Sequence, residues 1–471
     1  MPAGLVMVWF RSDLRLNDNP ALHFAASTGK SVLPVFVWNA PREIPWAQGR
    51  ASKWWLHESL VSLDASLRQK GARLVIRDGN PGMALATLAA ETGADTVVWN
   101  STREPDGRET DAELERQLRR AGISVKVYRS AFLFSPDNIR TREGKPFLVF
   151  TPFWNACRAE KPPREPLPAP VRLPFPEVPV RSRSLDELGL IPAPDRTEGI
   201  RAVWKPGEPT AQKMLHEFLV TRVDAYKTDR EIPSIRGTSR LSAYLHFGEI
   251  SPHTVWHHAF ALNAEHFLRQ LCWREFASHL LFHFPHTADH PLKTEYNRFP
   301  WNEDTAALRA WQTGATGFPF VDAGMRELWA TGWQHNRVRM VTASFLTKDL
   351  LLNWTLGARW FWETLVDADL ANNTLGWQWV AGCGADAAPY YRIFNPVLQG
   401  EKFDPKGEYV RRWIPELAGV SDRFIHRPWE APAGELRAAG VKLGSTYPSP
   451  IIHHEEARKR ALSAYASLRR P

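Results

Sequence analysis

Residues 161–180 read KPPREPLPAPVRLPFPEVPV, eight prolines in twenty positions. Proline fixes φ and has no amide N–H, so a stretch this dense in it supports neither helix nor sheet. It reads as an extended connector. Its proline-rich, charge-mixed character continues to about Asp195, and the chain differs in kind on its two sides. We therefore expect an α/β domain over residues 1–135, a connector over 136–200 and an all-α domain over 201–471.

Toward the N-terminus, four apolar runs stand out: Leu5–Phe10 (LVMVWF), Ser31–Trp38 (SVLPVFVW), Arg73–Arg77 (RLVIR) and Asp95–Trp99 (DTVVW). Amphipathic stretches at Lys53–Lys70 and Pro81–Thr92 separate them. Strands alternating with helices predict a doubly wound parallel sheet covered on both faces. The first strand is followed by Phe10-Arg11-Ser12-Asp13-Leu14-Arg15 and not by GxGxxG. The domain thus lacks the dinucleotide fingerprint, and a cofactor is expected elsewhere. Toward the C-terminus the apolar period is helical, at Glu208–Tyr226, His266–Phe284, Phe320–Thr331, Asn336–Leu352 and Ala358–Leu365.

Composition narrows the class. Of 471 residues 44% are apolar and 23% charged, and the net charge of +8 favours an anionic partner without identifying it. Three cysteines in no CxxC pair exclude a four-cysteine metal or iron–sulfur site and suggest no disulfide framework. The closest histidine pairs (His257 and His258, His283 and His286, His453 and His454) have no ligand set around them, so no metal is expected. With no leader-like start and no apolar run of membrane length, the reading is a cytoplasmic protein without membrane contact. The 21 tryptophans, most of them after residue 200, are either an aromatic core or a chain of indoles beside a redox group.

The polar constellations lie in the helical part. Gly237-Thr238-Ser239-Arg240-Leu241-Ser242 opens a predicted helix, where hydroxyls and free N–H groups make a phosphate cradle or an ordinary N-cap. In Trp333–Met340 (WQHNRVRM), Asn336, Arg339 and Met340 share one helix side. Asp367–Asn373 (DADLANN) is followed by Gly376-Trp377-Gln378-Trp379, a concentration of carboxylates, amides and indoles that core packing does not require.

These segments resemble the signatures of the photolyase/cryptochrome family. TSRLSAYLHFGEISP (238–252), WREF (273–276), TGWQHNRVRM (331–340), DADLANNTLGWQW (367–379) and DAAPYYRIFNPVLQGEKFDP (386–405) occur in family order, and VWFRSDLRLNDNPAL (8–22) resembles its opening strand. The resemblance implies FAD in the helical domain, with Tyr226, Thr238, Ser239, Arg240, Leu241 and Ser242 on its phosphates and ribityl chain. It places Asp367, Asp369 and Asn373 at the isoalloxazine, with Arg339 paired to Asp367. Its activity is light-driven repair of pyrimidine dimers in DNA, one electron passing from reduced flavin to a flipped-out lesion. Trp273 and Trp379 correspond to the stacking walls, and Gln270, Asn336 and Met340 line the lesion cavity. Arg337, Arg392 and Gln399 correspond to DNA contacts, and Trp377, Trp354 and Trp301 to an indole relay that reduces the flavin.

Several positions discriminate within the family. Six–four photolyases use two histidines four residues apart, where this chain has Asn336 and Met340, so cyclobutane dimers are the expected substrate. Asn373 stands where plant cryptochromes carry Asp and animal ones usually Cys, which again favours repair over a cryptochrome-like photoreceptor. The chain also ends soon after the helical domain, without the long tail of signalling members. Gln270 replaces a glutamate of most bacterial dimer photolyases; its amide can donate a hydrogen bond but no acidic proton, so repair of reduced efficiency is expected. An antenna, folate or deazaflavin, is left open: Gly107 stands where some relatives clamp folate with Glu, although Trp38 could stack on a pigment. No obligate protein partner is implied, and a monomer is expected.

Overall fold

The computed structural model describes residues 4–39, 46–103, 107–128, 132–191, 195, 197–387 and 391–468. Five strands form one parallel sheet: β1 (Leu5–Phe10), β2 (Ser31–Trp38), β3 (Val75–Asp78), β4 (Thr96–Asn100) and β5 (Ser124–Tyr128). Their order is β3-β2-β1-β4-β5, so the winding reverses at β1, as the alternating pattern implies. Strand β1 is the centre, Val6 pairing with Val32 on one side and Thr96 on the other. All six of its side chains are buried, which is why the run reads as continuously apolar and not alternating.

The helices that cover this sheet start on local signals. Asn19 and Asn80 cap the helices Pro20–Ser27 and Pro81–Thr92, each side chain accepting a hydrogen bond from an amide three residues on, with proline at the first helical position. Gly93, at φ +72°, ends the second. Strand β5 escaped the sequence reading. It lies at the sheet edge and presents exposed Ser124 and Lys126 around buried Val125, a weaker apolar signal than the buried strands give.

By its contacts the chain divides into two discontinuous compact units, one of residues 1–147, 151–223 and 239–282, the other of 148–150, 224–238 and 283–471. The proline-rich connector lies in the first, irregular as expected between residues 161 and 185. It is not a free spacer. The Leu173 N–H donates to Lys70 O (2.8 Å), the Val32 N–H to Pro174 O (2.7 Å) and the Arg183 N–H to Ile76 O (3.0 Å), so it is strapped along the β3 side of the sheet.

The first unit also contains the helix Glu265–His283, all but its last residue, and a buried tie at Glu249. The Glu249 carboxyl faces Trp55 Nε1 (3.0 Å), Ser59 Oγ (2.7 Å) and the Gly207 N–H. Burial outweighs these partners and pushes its pKa up to about 8.

In the second unit the reading of one helix over Asn336–Leu352 needs correction. The α-helix covers Asn336–Ser344 and passes into a π-helical turn, Phe345–Asp349, with Lys348 and Asp349 fully buried. Leu351, at φ +54°, ends it. The helices Trp354–Thr364 and Leu370–Ala381 then pack closely because residue 357 is glycine: a Cβ there would lie 2.0 Å from the Trp377 ring. No helix among the described residues is long and apolar enough to cross a membrane.

Candidate functional site

The second unit assembles most of the polar residues singled out from sequence. His335 caps the helix Asn336–Ser344, its Nδ1 accepting from the Arg337 N–H at 3.2 Å. One turn in, Arg339 is fixed at both ends of its guanidinium. Nε donates to Gln334 O at 2.7 Å, and Nη2 donates to both Asp367 oxygens at 3.0 and 2.9 Å. The Arg339–Asp367 pair expected from sequence is present. Asp369 caps the helix Leu370–Ala381, accepting from the Asn372 N–H at 2.9 Å.

Asn373 sits one turn into that helix and is 9% exposed. Its Nδ2 donates to Ala358 O at 3.0 Å, and because a carbonyl can only accept, this bond fixes which end of the amide faces it. Oδ1 is left without a hydrogen-bond partner among the described residues. A neutral acceptor on a largely buried residue suits a ring N–H such as N5 of a reduced flavin. The residues therefore fit the cofactor expected from sequence.

The lesion-facing candidates of this unit are also placed. Asn336 is exposed, and its Nδ2 lies 3.8 Å from Met340 Sδ, so the two share a helix face as their spacing implies. Trp379 is half-buried, pinned through Nε1 to Asp386 O at 2.9 Å. Asp386 holds φ +51° and also presents its carboxyl to the Phe150 N–H at 3.1 Å. Ala388–Tyr390 of that segment lie outside the described residues.

Among the DNA-contact candidates, Arg337 is already engaged: its guanidinium pairs with Glu231 through Nε (2.9 Å) and Nη2, and lies 4.3 Å from the Phe403 centroid. Arg392 is exposed, and Gln399 has a buried Oε1 without a partner among the described residues.

The three relay indoles do not stack on one another. Trp377 meets Phe361 (5.0 Å) and Trp311 (6.1 Å), and Trp301 meets Phe299 (4.3 Å). They are close through the backbone instead. Trp301 precedes Asn302, which bridges to Leu352; Trp354 starts a helix two residues later; Trp377 lies against Gly357, one turn on. Trp354 and Trp377 are buried, while Trp301 is partly exposed.

The remaining candidates divide between the units. Tyr226 and Thr238 belong to the second, with Tyr226 buried and Arg230 5.4 Å from its ring centroid. Ser239–Ser242, Gln270 and Trp273 belong to the first. The expected phosphate-cradle helix begins only at Ser242 and runs five residues, so Thr238–Leu241 form the loop before it. Arg240 holds φ +54° in that loop, an uncommon conformation for a residue with a Cβ, and lies 5.8 Å from the Trp204 centroid. Gln270 and Trp273 sit three apart and half-buried on the helix Glu265–His283. At the possible antenna position, Gly107 is buried and a Cβ would meet Thr102 Oγ1 at 2.3 Å, so any larger residue here would require the Thr102 side chain to move. Glu104–Asp106 beside it lie outside the described residues.

Sequence reasoning missed Glu231 as the partner of Arg337, since 106 positions separate them. It also passed over Lys348, whose signal was legible: a single charge pair, Lys348-Asp349, inside the otherwise apolar run SFLTKDLL (344–351).

Comparison with known proteins finds matches over nearly the whole chain. Residues 6–171 match the family model for DNA photolyase, and residues 267–467 match that for the FAD binding domain of DNA photolyase. The chain is 45% identical to a deoxyribodipyrimidine photo-lyase of Agrobacterium fabrum, covering 99% of this chain and 98% of the relative. It is 40% identical to Cryptochrome-2 of Arabidopsis thaliana, covering 98% of this chain and 79% of that one. Among solved structures, a bacterial class III photolyase from Agrobacterium tumefaciens superposes with a TM-score of 0.96 at 45% identity, covering 100% of this chain and 99% of the other.

Proposed function

This chain belongs to the photolyase/cryptochrome family, and from that premise we propose that it repairs cyclobutane pyrimidine dimers in DNA under blue light. The reaction breaks the two carbon–carbon bonds that join the pyrimidines and is redox-neutral, because the electron lent to the lesion is returned. FAD, when bound and reduced, supplies the light absorption and that electron.

The chain's own residues bind, orient and exclude. Arg339, held by Gln334 O, fixes the Asp367 carboxylate. Asn373 offers a neutral acceptor where Asp would add a charge, and this is the observation that carries the reading. Asn336 and Met340 supply no acid–base pair at these positions, which suits cyclobutane ring opening and not the six–four photoproduct reaction. Trp379, pinned by Asp386, presents an indole face for stacking.

The likeness to Cryptochrome-2 favours a second reading, a blue-light receptor without repair. Incubating the reduced protein with an oligonucleotide carrying one defined thymine dimer separates the two. Recovery of thymine absorbance in blue light alone supports repair; no recovery with reduced flavin bound supports the receptor.

A further inference from the structure

Lys348 is fully buried, yet its ammonium has little to offset its charge. Nζ donates to Ala381 O at 2.5 Å and lies 3.2 Å from the Tyr391 ring centroid. Lys293 reaches the same place, donating from Nζ to Gly382 O at 3.1 Å. Both cations meet the carbonyl end of the helix Leu370–Ala381, whose dipole offers about half a negative charge against two positive ones. Among the described residues neither lysine has a carboxylate partner. Burial, reinforced by Lys293, pushes the Lys348 pKa well below its ordinary value, the direction expected of a cation lacking a counter-charge.

A third group points the same way. Tyr391 is 9% exposed, and its hydroxyl has no hydrogen-bond partner among the described residues. Lys293, Lys348 and Tyr391 line one pocket of about 120 Å³ together with Tyr296, Trp379 and Arg392. That is large beside the roughly 10–15 Å³ needed to admit one water. Apolar ligands find little here: two ammonium groups and a phenol converge, and the facing carbonyls are already used.

We propose that this pocket is an oxyanion site that takes a phosphate group, with Lys348 and Lys293 as its cationic donors and the Tyr391 hydroxyl as a neutral one. The same chemistry is met by free inorganic phosphate and by a phosphodiester of a nucleic acid backbone. The site does not depend on the repair reading, because its occupancy needs neither light nor lesion.

The test uses the flavin-bound, full-length protein and inorganic phosphate at constant ionic strength set with chloride, read as melting temperature and by titration calorimetry. Wild type is expected to show a saturable rise in melting temperature. Lys348→Met, which keeps the volume and removes the unpaired buried charge, is expected to abolish it. Tyr391→Phe deletes one hydroxyl and is expected to weaken phosphate about tenfold with the fold intact, which keeps the test decisive if the lysine variant does not fold.

Parallel titrations with undamaged duplex DNA separate the sources. DNA affinity falling in the same variants, with phosphate competing, assigns the site to the backbone; unchanged DNA affinity with lost phosphate binding assigns it to the free ion. If neither the phosphate response nor the DNA affinity differs between wild type and Tyr391→Phe, the proposal is overturned.

Discussion

The Asn373 amide does two things at once: its NH₂ ties two helices through Ala358 O, and its oxygen is left as a neutral acceptor. Asn373→Asp would turn a carboxylate oxygen against that carbonyl, so we expect a loss of roughly 1–3 kcal/mol in stability of the flavin-bound protein, read by urea denaturation. An unchanged midpoint would show that the tie is not made. At Gln270 we expect Gln270→Glu to raise the quantum yield of dimer repair, because the acid restores a proton-donating group; no gain would sink that account of the residue. Arg337 is already paired with Glu231, so Glu231→Gln, which frees the guanidinium, should strengthen DNA binding, as measured by fluorescence anisotropy at fixed salt. The residue types were legible in the sequence, since Asp367, Arg339 and Asn373 stood in dense polar runs. The Glu231 partner was not, because pairings across 106 positions leave no local pattern.

Elements are set by a few close approaches. Gly357 in an ordinary helix would gain about 0.5–1 kcal/mol on change to alanine. Here the new methyl would run into Trp377, so Gly357→Ala should instead destabilise by roughly 1–3 kcal/mol in urea denaturation. A neutral or stabilising result would mean that these helices are not packed as described. The Glu249 tie has a pH signature. The folded pKa is raised from 4.5 to about 8, so the unfolded chain ionises first as pH rises. Its contribution is complete below about pH 4.5 and is lost as pH climbs through 8. Glutamine keeps the size of the side chain but does not titrate, so Glu249→Gln removes this pH dependence. Melting temperatures from pH 5 to 9 should therefore fall less steeply in Glu249→Gln than in wild type; parallel curves would contradict the assignment. Continuous apolar runs made β1, β2 and β4 readable, while the half-exposed edge strand β5 and the π-helical turn at Phe345–Asp349 lack a periodic signature.

For the whole molecule, the net charge of +8 favours an anionic partner without identifying it. The order of the parts, a parallel α/β sheet and then a helical domain, was legible because proline density separates two kinds of apolar period. That the connector hydrogen-bonds back along β3 was not, since such bonds are made by backbone groups that carry no side-chain signal. The central claim is dimer reversal by light. The most direct measurement follows thymine absorbance of an oligonucleotide with one thymine dimer, incubated with the flavin-reduced protein in blue light and in darkness. Recovery in the light and none in the dark is the result this account predicts. No recovery in either, with reduced flavin bound throughout, would contradict it.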